Sequence, residues 1–422
     1  ELGVFGEMFL YNTNQKVKKA LKQAEYLRQG YHVVVTNPPY MGNRNMNAEL
    51  KQFAKDHYPD SKKDLFAVFV ERGLNLTQDK AYLAMITMQS WMFLSSFEKL
   101  RKKLINHQAF LSMAHLAANA FDTISGEVVS TTSFVLKNYP NLELKGAFIR
   151  LVDGNTENEK NKFLKQAIQN PDCGWFFRTK TADFKKIPGA PIAYWVSSKM
   201  LKLFDLPILQ SLTISDGQNK TGDNKKYLRL IWEVDKSKIG KNKKWLLYAK
   251  GGGFRRWVGN LSNVINWSLK ARKHYQSDRI GRIIPEYLWY RKGITWGLIT
   301  SSYPSFRLLP EEATFDVTGS SIFLKDDNDN NFILALLNTN IVREILQITN
   351  PTLAYQVKNI RETPFLEINK RERIEENVDK LIDFSDKDWN LKETSWNFIG
   401  LHLLLKKIHL ETLASTYIAL RG

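Results

Sequence analysis

The stretch VVVTNPPY, residues 33–40, decides how the chain reads. Val33, Val34 and Val35 form a short apolar β-branched run. That length and composition predict a fully buried strand of a parallel sheet. Thr36 closes the run. Pro38 and Pro39 cannot continue a strand, because neither supplies an N–H to the ladder. A polar loop is therefore expected at the carboxyl end of a buried strand, where open α/β sheets hold their ligands.

The residue types of this loop suit one chemistry. The exocyclic amine of a nucleobase is conjugated with its ring and is a poor nucleophile. Acceptors placed around its N–H groups favour the tetrahedral nitrogen. The side-chain oxygen of Asn37 offers one acceptor and the carbonyl of Pro38 another. The prolines fix φ, so that carbonyl is pre-aimed. Tyr40 offers a face for an extruded base, and such stacking is worth about 1–3 kcal/mol against a similar cost of flipping. The loop resembles the Asn-Pro-Pro-Tyr catalytic loop of the S-adenosylmethionine-dependent amino-methyltransferases. The resemblance implies catalytic roles for Asn37, Pro38, Pro39 and Tyr40, with Tyr40 stacking on the target. A proline turn after a strand is the plainer reading of the same four residues.

Around this loop, 422 residues leave room for two or three domains with real cores. Apolar content of 43% and charged content of 25% are ordinary for a globular chain. The charge balance is not: 61 Lys and Arg against 43 Asp and Glu give +18. Such an excess predicts attraction to polyanions, nucleic acid first. A single cysteine, Cys173, leaves no intrachain disulfide or Cys-based zinc site and suits a reducing cytosol. The seven histidines lack metal-ligand spacing, so no metal is expected. The most apolar window, Ala81 to Leu94, is broken by Gln89 and Ser90 and is too short to span a bilayer. Glu1 opens no signal-peptide pattern, and a cytoplasmic location is expected.

Taken in order, Val17, Leu21, Ala24 and Leu27 recur at helical spacing over 14–29, with Gly30 as C-cap. Residues 41–63 are polar and basic, a solvated loop with a short helix. Asp64 to Leu76 reads as an amphipathic helix with Asp64 at its N-terminus. Strands are expected over 81–88, 111–116 and 131–136, with a helix over 95–106. This alternation predicts an α/β sheet, mostly parallel, whose last strands pair antiparallel. In AFDTISGEVVST, Phe121 is the candidate aromatic to lie against the flipped base; a core Phe beside a turn is the competing reading. Pro140, two Asn and Gly146 mark a boundary over 138–153, followed by a charged helix to residue 170. Residues 171–370 are rich in aromatics, Gly and Pro, as in an irregular α+β domain. The remainder is helical. The expected domains are 1–140 (the sheet with the NPPY loop), 141–370 and 371–422.

The middle domain carries KNKKWLLYAKGGGFRRWVGN, residues 241–260, where basic residues interleave with aromatics around three glycines. A DNA-contacting loop needs this mixture; a solvated hairpin with inward aromatics is the alternative. Lys244, Lys250, Gly252, Arg255 and Arg256 are the candidate contacts. In FDVTGSSIF, residues 315–323, Ser320 and Ser321 are candidates for a phosphate. Together with NPTLAYQVKNIRETPF (350–365) and DKDWNLKETSWNF (386–398), these segments resemble, in order, the target-recognition half of the adenine-specific methyltransferases of bacteriophage-exclusion (BREX) systems, the PglX family. The third segment is also similar to the recognition domains of type I specificity subunits. The resemblance implies a partial Rossmann-like methyltransferase sheet followed by a target-recognition domain, with adenine N6 in double-stranded DNA as acceptor. It also implies other phage-defence proteins as partners.

One part of that machinery is not legible. S-adenosylmethionine needs a strand, a glycine loop and a helix, with an acidic residue later for the ribose. Gly3 and Gly6 follow no strand, and 36 residues before Asn37 leave no room for the intervening units. The family places the cofactor loop upstream of NPPY. The chain is thus expected to be amino-terminally truncated and to bind the cofactor weakly or not at all. Two further readings stay open: cytosine N4 as the acceptor, and a non-catalytic DNA-recognition module of a defence complex.

Overall fold

A computed structural model describes residues 4–121, 129–300, 303–350, 354–368, 370–398, 400, 412, 414, 415, 417 and 418. The chain divides into two compact units, Glu1–Phe204 and Asp205–Gly422.

The first unit holds a six-stranded sheet of β1 (Tyr31–Thr36), β2 (Thr77–Met88), β3 (Ala109–Ala117), β4 (Thr131–Lys137), β5 (Lys145–Arg150) and β6 (Phe176–Lys180), in the order β1-β2-β4-β3-β5-β6. β1–β2 and β3–β5 are parallel pairs. β4 runs antiparallel between β2 and β3, and β6 antiparallel to β5. Four strands therefore run one way, as expected, with β3 and β4 as the antiparallel neighbours.

Two expectations change here. The valine run does not form a fully buried strand. Among the described residues β1 pairs only with β2, at the sheet edge, and Val34 alone of the three valines turns to the core. Val33 and Val35 are 57% and 71% exposed. Composition identifies a strand able to be buried on both faces, but not whether both faces are covered. Second, the sheet continues past residue 140. Asn138 does not begin a linker: its side chain donates to the carbonyls of Thr77 and Gln78, and its N–H to that of Ala81. Asn141 then accepts from Leu144 N–H in the turn to β5. The same Pro and Asn signals mark a tight turn or a domain boundary, and only pairing partners tell them apart.

Helices pack on part of this sheet. In α1 (Val4–Arg28), Leu10, Val17, Leu21 and Leu27 are exposed. After α2 (Ala48–His57) comes α3 (Leu65–Leu76), capped by the Asp64 carboxylate accepting from Phe66 N–H. It lies close on β2: a Cβ at Gly73 would fall 2.6 Å from Met85 and 2.8 Å from Leu83. α4 (Glu98–His107) buries Leu100 and Leu104 together with Arg101. The Arg101 guanidinium donates to the carbonyls of Trp91, Leu94, Gly189 and Ala190 at 2.6–3.2 Å. Burial lowers its pKa to about 10, which leaves it charged at neutral pH. α5 (Glu157–Gln169) sends Lys160 Nζ to the carbonyls of Leu116 and Leu151, tying the ends of β3 and β5.

The second unit has two four-stranded sheets. One is β13 (Ala313–Phe315), β9 (Trp245–Ala249), β10 (Asn263–Asn266) and β8 (Leu228–Leu230); the other is β12 (Phe306–Leu309), β11 (Gly293–Trp296), β14 (Ser321–Leu324) and β7 (Thr213–Ile214). The apolar residues near 332–348 form two helices, Asn330–Leu337 and Asn340–Thr349, bent by 77°. Asn338 causes the break. Its buried side chain accepts from Phe306 N–H and donates to the carbonyls of Phe306 and Leu334. No single helix among the described residues is long and apolar enough to cross a membrane, and this bent pair lines a core with Trp296, Phe306 and Ile322. The expected third domain does not stand apart either. Helix Glu372–Asn390 places Val378 in that same core. Of the remainder expected to be helical, residues 399–410 lie, Gly400 excepted, outside the described residues.

Candidate functional site

Asn37-Pro38-Pro39-Tyr40 leaves β1 on the surface of the first unit. Asn37 and Pro39 are exposed, Pro38 is buried and Tyr40 half-buried. The loop is fastened just beyond its last residue. Met41 N–H donates to Asp64 Oδ1 at 3.0 Å, the Met41 carbonyl accepts from Leu65 N–H at 3.0 Å, and Asn43 N–H meets the Lys63 carbonyl at 2.9 Å. The carboxylate that caps α3 thus also holds the catalytic-type loop, and burial raises its pKa while these N–H groups pull it down. The Tyr40 ring stands edge-on to Phe66 at 6.3 Å. Its hydroxyl donates to Asn37 Oδ1 at 3.4 Å, a long bond. Among the described residues no donor reaches the Pro38 carbonyl. Asn37 thus offers an exposed acceptor on a stiff loop, engaged by one weak contact, beside a Pro38 carbonyl that no described donor engages.

Other side chains lie at the same end of the sheet's parallel strands. Phe121 follows β3, which runs parallel to β1 in direction, and is half-exposed. Residues 122–128 of its motif, Gly126 included, lie outside the described residues. β1 and β3 are separated by β2 and β4, so their ends stand roughly 14 Å apart at ordinary strand spacing. Between them, sequence reading missed a buried group. His115 Nε2 meets Gln89 Oε1 at 2.6 Å and Nδ1 meets the Tyr194 hydroxyl at 3.0 Å. Burial, aided by Arg150 and Lys160, pushes its pKa down to about 3, so the imidazole is neutral. Gln89, just after β2, was legible only as an interruption of an apolar run.

The second unit sorts the seven candidate DNA contacts. Lys244 is exposed and has no ion-pair partner among the described residues, its ammonium 5.5 Å from the Trp245 ring. Gly252 is exposed with φ +102, a conformation that favours glycine. Lys250 is paired with Asp316 at 2.8 Å. Arg255 is an anchor. It donates to the Ser385 carbonyl and Asp388 and lies 5.0 Å over Trp389, fixing the loop to helix Glu372–Asn390. Arg256 is half-buried beside Phe254. Ser320 and Ser321 do not meet a phosphate. They are 4% and 0% exposed, bonded to the carbonyls of Val317 and Gly319. GSS reads as an anion loop when exposed; here Gly319 serves close packing, since a Cβ would collide with the Ala249 carbonyl. Gly319→Ala is expected to destabilise the second unit by about 1–3 kcal/mol in urea unfolding, whereas Ser321→Ala leaves DNA affinity unchanged.

This loop and sheet define a class of protein by likeness. Residues 7–121 match the family model of the Eco57I restriction-modification methylase. The particular relatives are closer. The chain is 39% identical over 388 residues to the adenine-specific methyltransferase BrxX of Escherichia coli O9:H4 (strain HS), covering 90% of this chain and 31% of that protein. It is 37% identical over 404 residues to the adenine-specific methyltransferase PglX of Lacticaseibacillus casei (strain Zhang), covering 92% and 33%. Over nine-tenths of its length the chain is thus homologous to adenine-specific methyltransferases of this kind, as its ordered motifs implied. It spans about a third of the length of these curated relatives. In fold it is similar to the Type IIL restriction-modification enzyme MmeI, solved in complex with DNA, at TM-score 0.53 and 11% identity, over 92% of this chain and 53% of that one.

Proposed function

We propose that this chain is the acceptor-loop and target-recognition portion of a site-specific DNA adenine-N6 methyltransferase of bacterial phage defence, acting in the cytoplasm. The observation that carries the reading is the exposed, weakly engaged acceptor of Asn37 beside the unengaged Pro38 carbonyl, on a chain homologous to adenine-specific methyltransferases. Asn37 Oδ1 and the Pro38 carbonyl accept from the two N–H bonds of an extruded adenine, which localises the nitrogen lone pair. Tyr40, with its ring braced by Phe66, bears on the base face. Duplex DNA is held by the basic loops of the second unit.

S-adenosylmethionine supplies an electrophilic methyl group when bound. In this reading the chain's own residues grip the acceptor. One edge of β1 has no partner strand among the described residues and offers a place for a strand that carries the cofactor loop. Calorimetric titration of this chain alone with S-adenosylmethionine is expected to give no micromolar binding; micromolar binding would overturn that division of labour. Nucleoside analysis of DNA from cells carrying the whole system tests the function. N6-methyladenine is expected, and N4-methylcytosine, or no methylated base, refutes it. A second reading is a recognition cassette without chemistry of its own. Failure of methyl transfer once the rest of the protein is supplied would select it.

A further inference from the structure

The loop from Lys250 to Asn260 is built more rigidly than a glycine-rich loop needs. Gly251, Gly252, Trp257, Gly259 and Asn260 all have positive φ. A bulky residue such as Trp257 at φ +72 is strained and persists only where its surroundings hold it. Here they do. Trp257 N–H donates to the Phe306 carbonyl, and its own carbonyl accepts from Leu308 N–H. Arg307, 1% exposed beneath the loop, donates to the carbonyls of Gly251 and Arg255. Arg255 N–H donates to Ser305 Oγ, and Ser385 Oγ to the Arg256 carbonyl.

This framework holds one apolar ring outward. Phe254 is 54% exposed. Its ring stands edge-on to Tyr303 at 5.8 Å. The Arg256 guanidinium lies 5.6 Å from the Phe254 ring, and that of Arg343 lies 4.8 Å from Tyr303. Neither guanidinium has a carboxylate partner among the described residues. Phe254 and Arg256 on this fixed loop, with Tyr303 and Arg343 packed beside them from other segments, put two rings and two unneutralised cations together, and in a chain of charge +18 they complement a polyanion that also presents flat apolar faces. Duplex DNA is that partner: its phosphates meet the arginines and its base steps meet the ring.

We infer that Phe254 is a wedge that bears on a base step of the bound duplex, with Arg256 and Arg343 on the flanking phosphates. The inference rests on the DNA-binding reading above and goes beyond it in naming a contact that deforms DNA. A wedge and a phosphate contact separate by salt dependence. The plot of log affinity against log salt measures released counterions, to which an uncharged ring contributes nothing.

The test uses the full-length protein on a duplex fragment, with affinities measured across a salt series. Phe254→Ala is expected to weaken binding about tenfold or more at every salt with the slope unchanged, and Phe254→Trp to restore it. Arg343→Ala is expected to reduce the slope by about one. Wild-type affinity in Phe254→Ala, or failure of Phe254→Trp to rescue, overturns the wedge while leaving the methyltransferase reading intact. A wild-type protein that binds no DNA at low salt overturns both. Thermal unfolding within a degree or so of wild type, expected for so exposed a side chain, separates lost contact from lost fold.

Discussion

Asn37→Ala in the full-length protein is expected to lower methyl transfer by about 100- to 1000-fold, the usual scale for removing one oriented hydrogen-bond partner of a developing charge. DNA affinity and thermal stability are expected to stay near wild type. The reason is geometric. Asn37 is exposed at the tip of β1, and its side-chain oxygen holds only the 3.4 Å contact from the Tyr40 hydroxyl. Removing it empties no core and orphans no buried donor. Asn37→Asp keeps an acceptor at the same place and is expected to lose less. Radiolabelled methyl transfer and DNA binding by anisotropy measure the two effects. Retained methylation in Asn37→Ala would refute the role given to this loop.

The second large effect concerns folding. Arg101→Met is expected to destabilise the first unit by about 3–5 kcal/mol, read as a fall in the urea midpoint. Methionine fills comparable space but leaves the carbonyls of Trp91, Leu94, Gly189 and Ala190 short of a buried donor. Each such loss costs about 1–3 kcal/mol. Arg101→Lys keeps the charge but cannot reach carbonyls on two chain segments with one ammonium, so an intermediate loss is expected. An Arg101→Met protein as stable as wild type would show that water replaces the guanidinium, which a side chain 1% exposed argues against.

Much of the first unit was open to reading before any coordinates. The Asp64 cap, the helix it starts and the strands over 81–88, 111–116 and 131–136 all appear within a few residues of their expected bounds. Each depends on local periodicity or a side chain bonding its own neighbourhood. What failed depends on partners distant in sequence. Nothing in VVV reports that only β2 lies beside it. Nothing in FRRW tells Arg255, clamped by Asp388 and Trp389, from a phosphate contact. Ser320 and Ser321 look like an anion loop until β11 covers them: Ser321 pairs with Thr295, and Ser320 accepts from Trp296 N–H. Arg343 escaped notice because its ring partner, Tyr303, lies on a different loop. The likeness of ordered motifs, rather than any one of them, identified the relatives correctly.

The flank of β1 that no described strand covers has a practical consequence. A strand whose outer N–H and C=O groups have no partner among the described residues, with Val33 and Val35 in solvent, is a template on which another copy can pair its own ribbon. Prepared by itself at high concentration, this polypeptide is prone to clump through that seam. A lysine at position 35 is the simplest way to keep it dispersed.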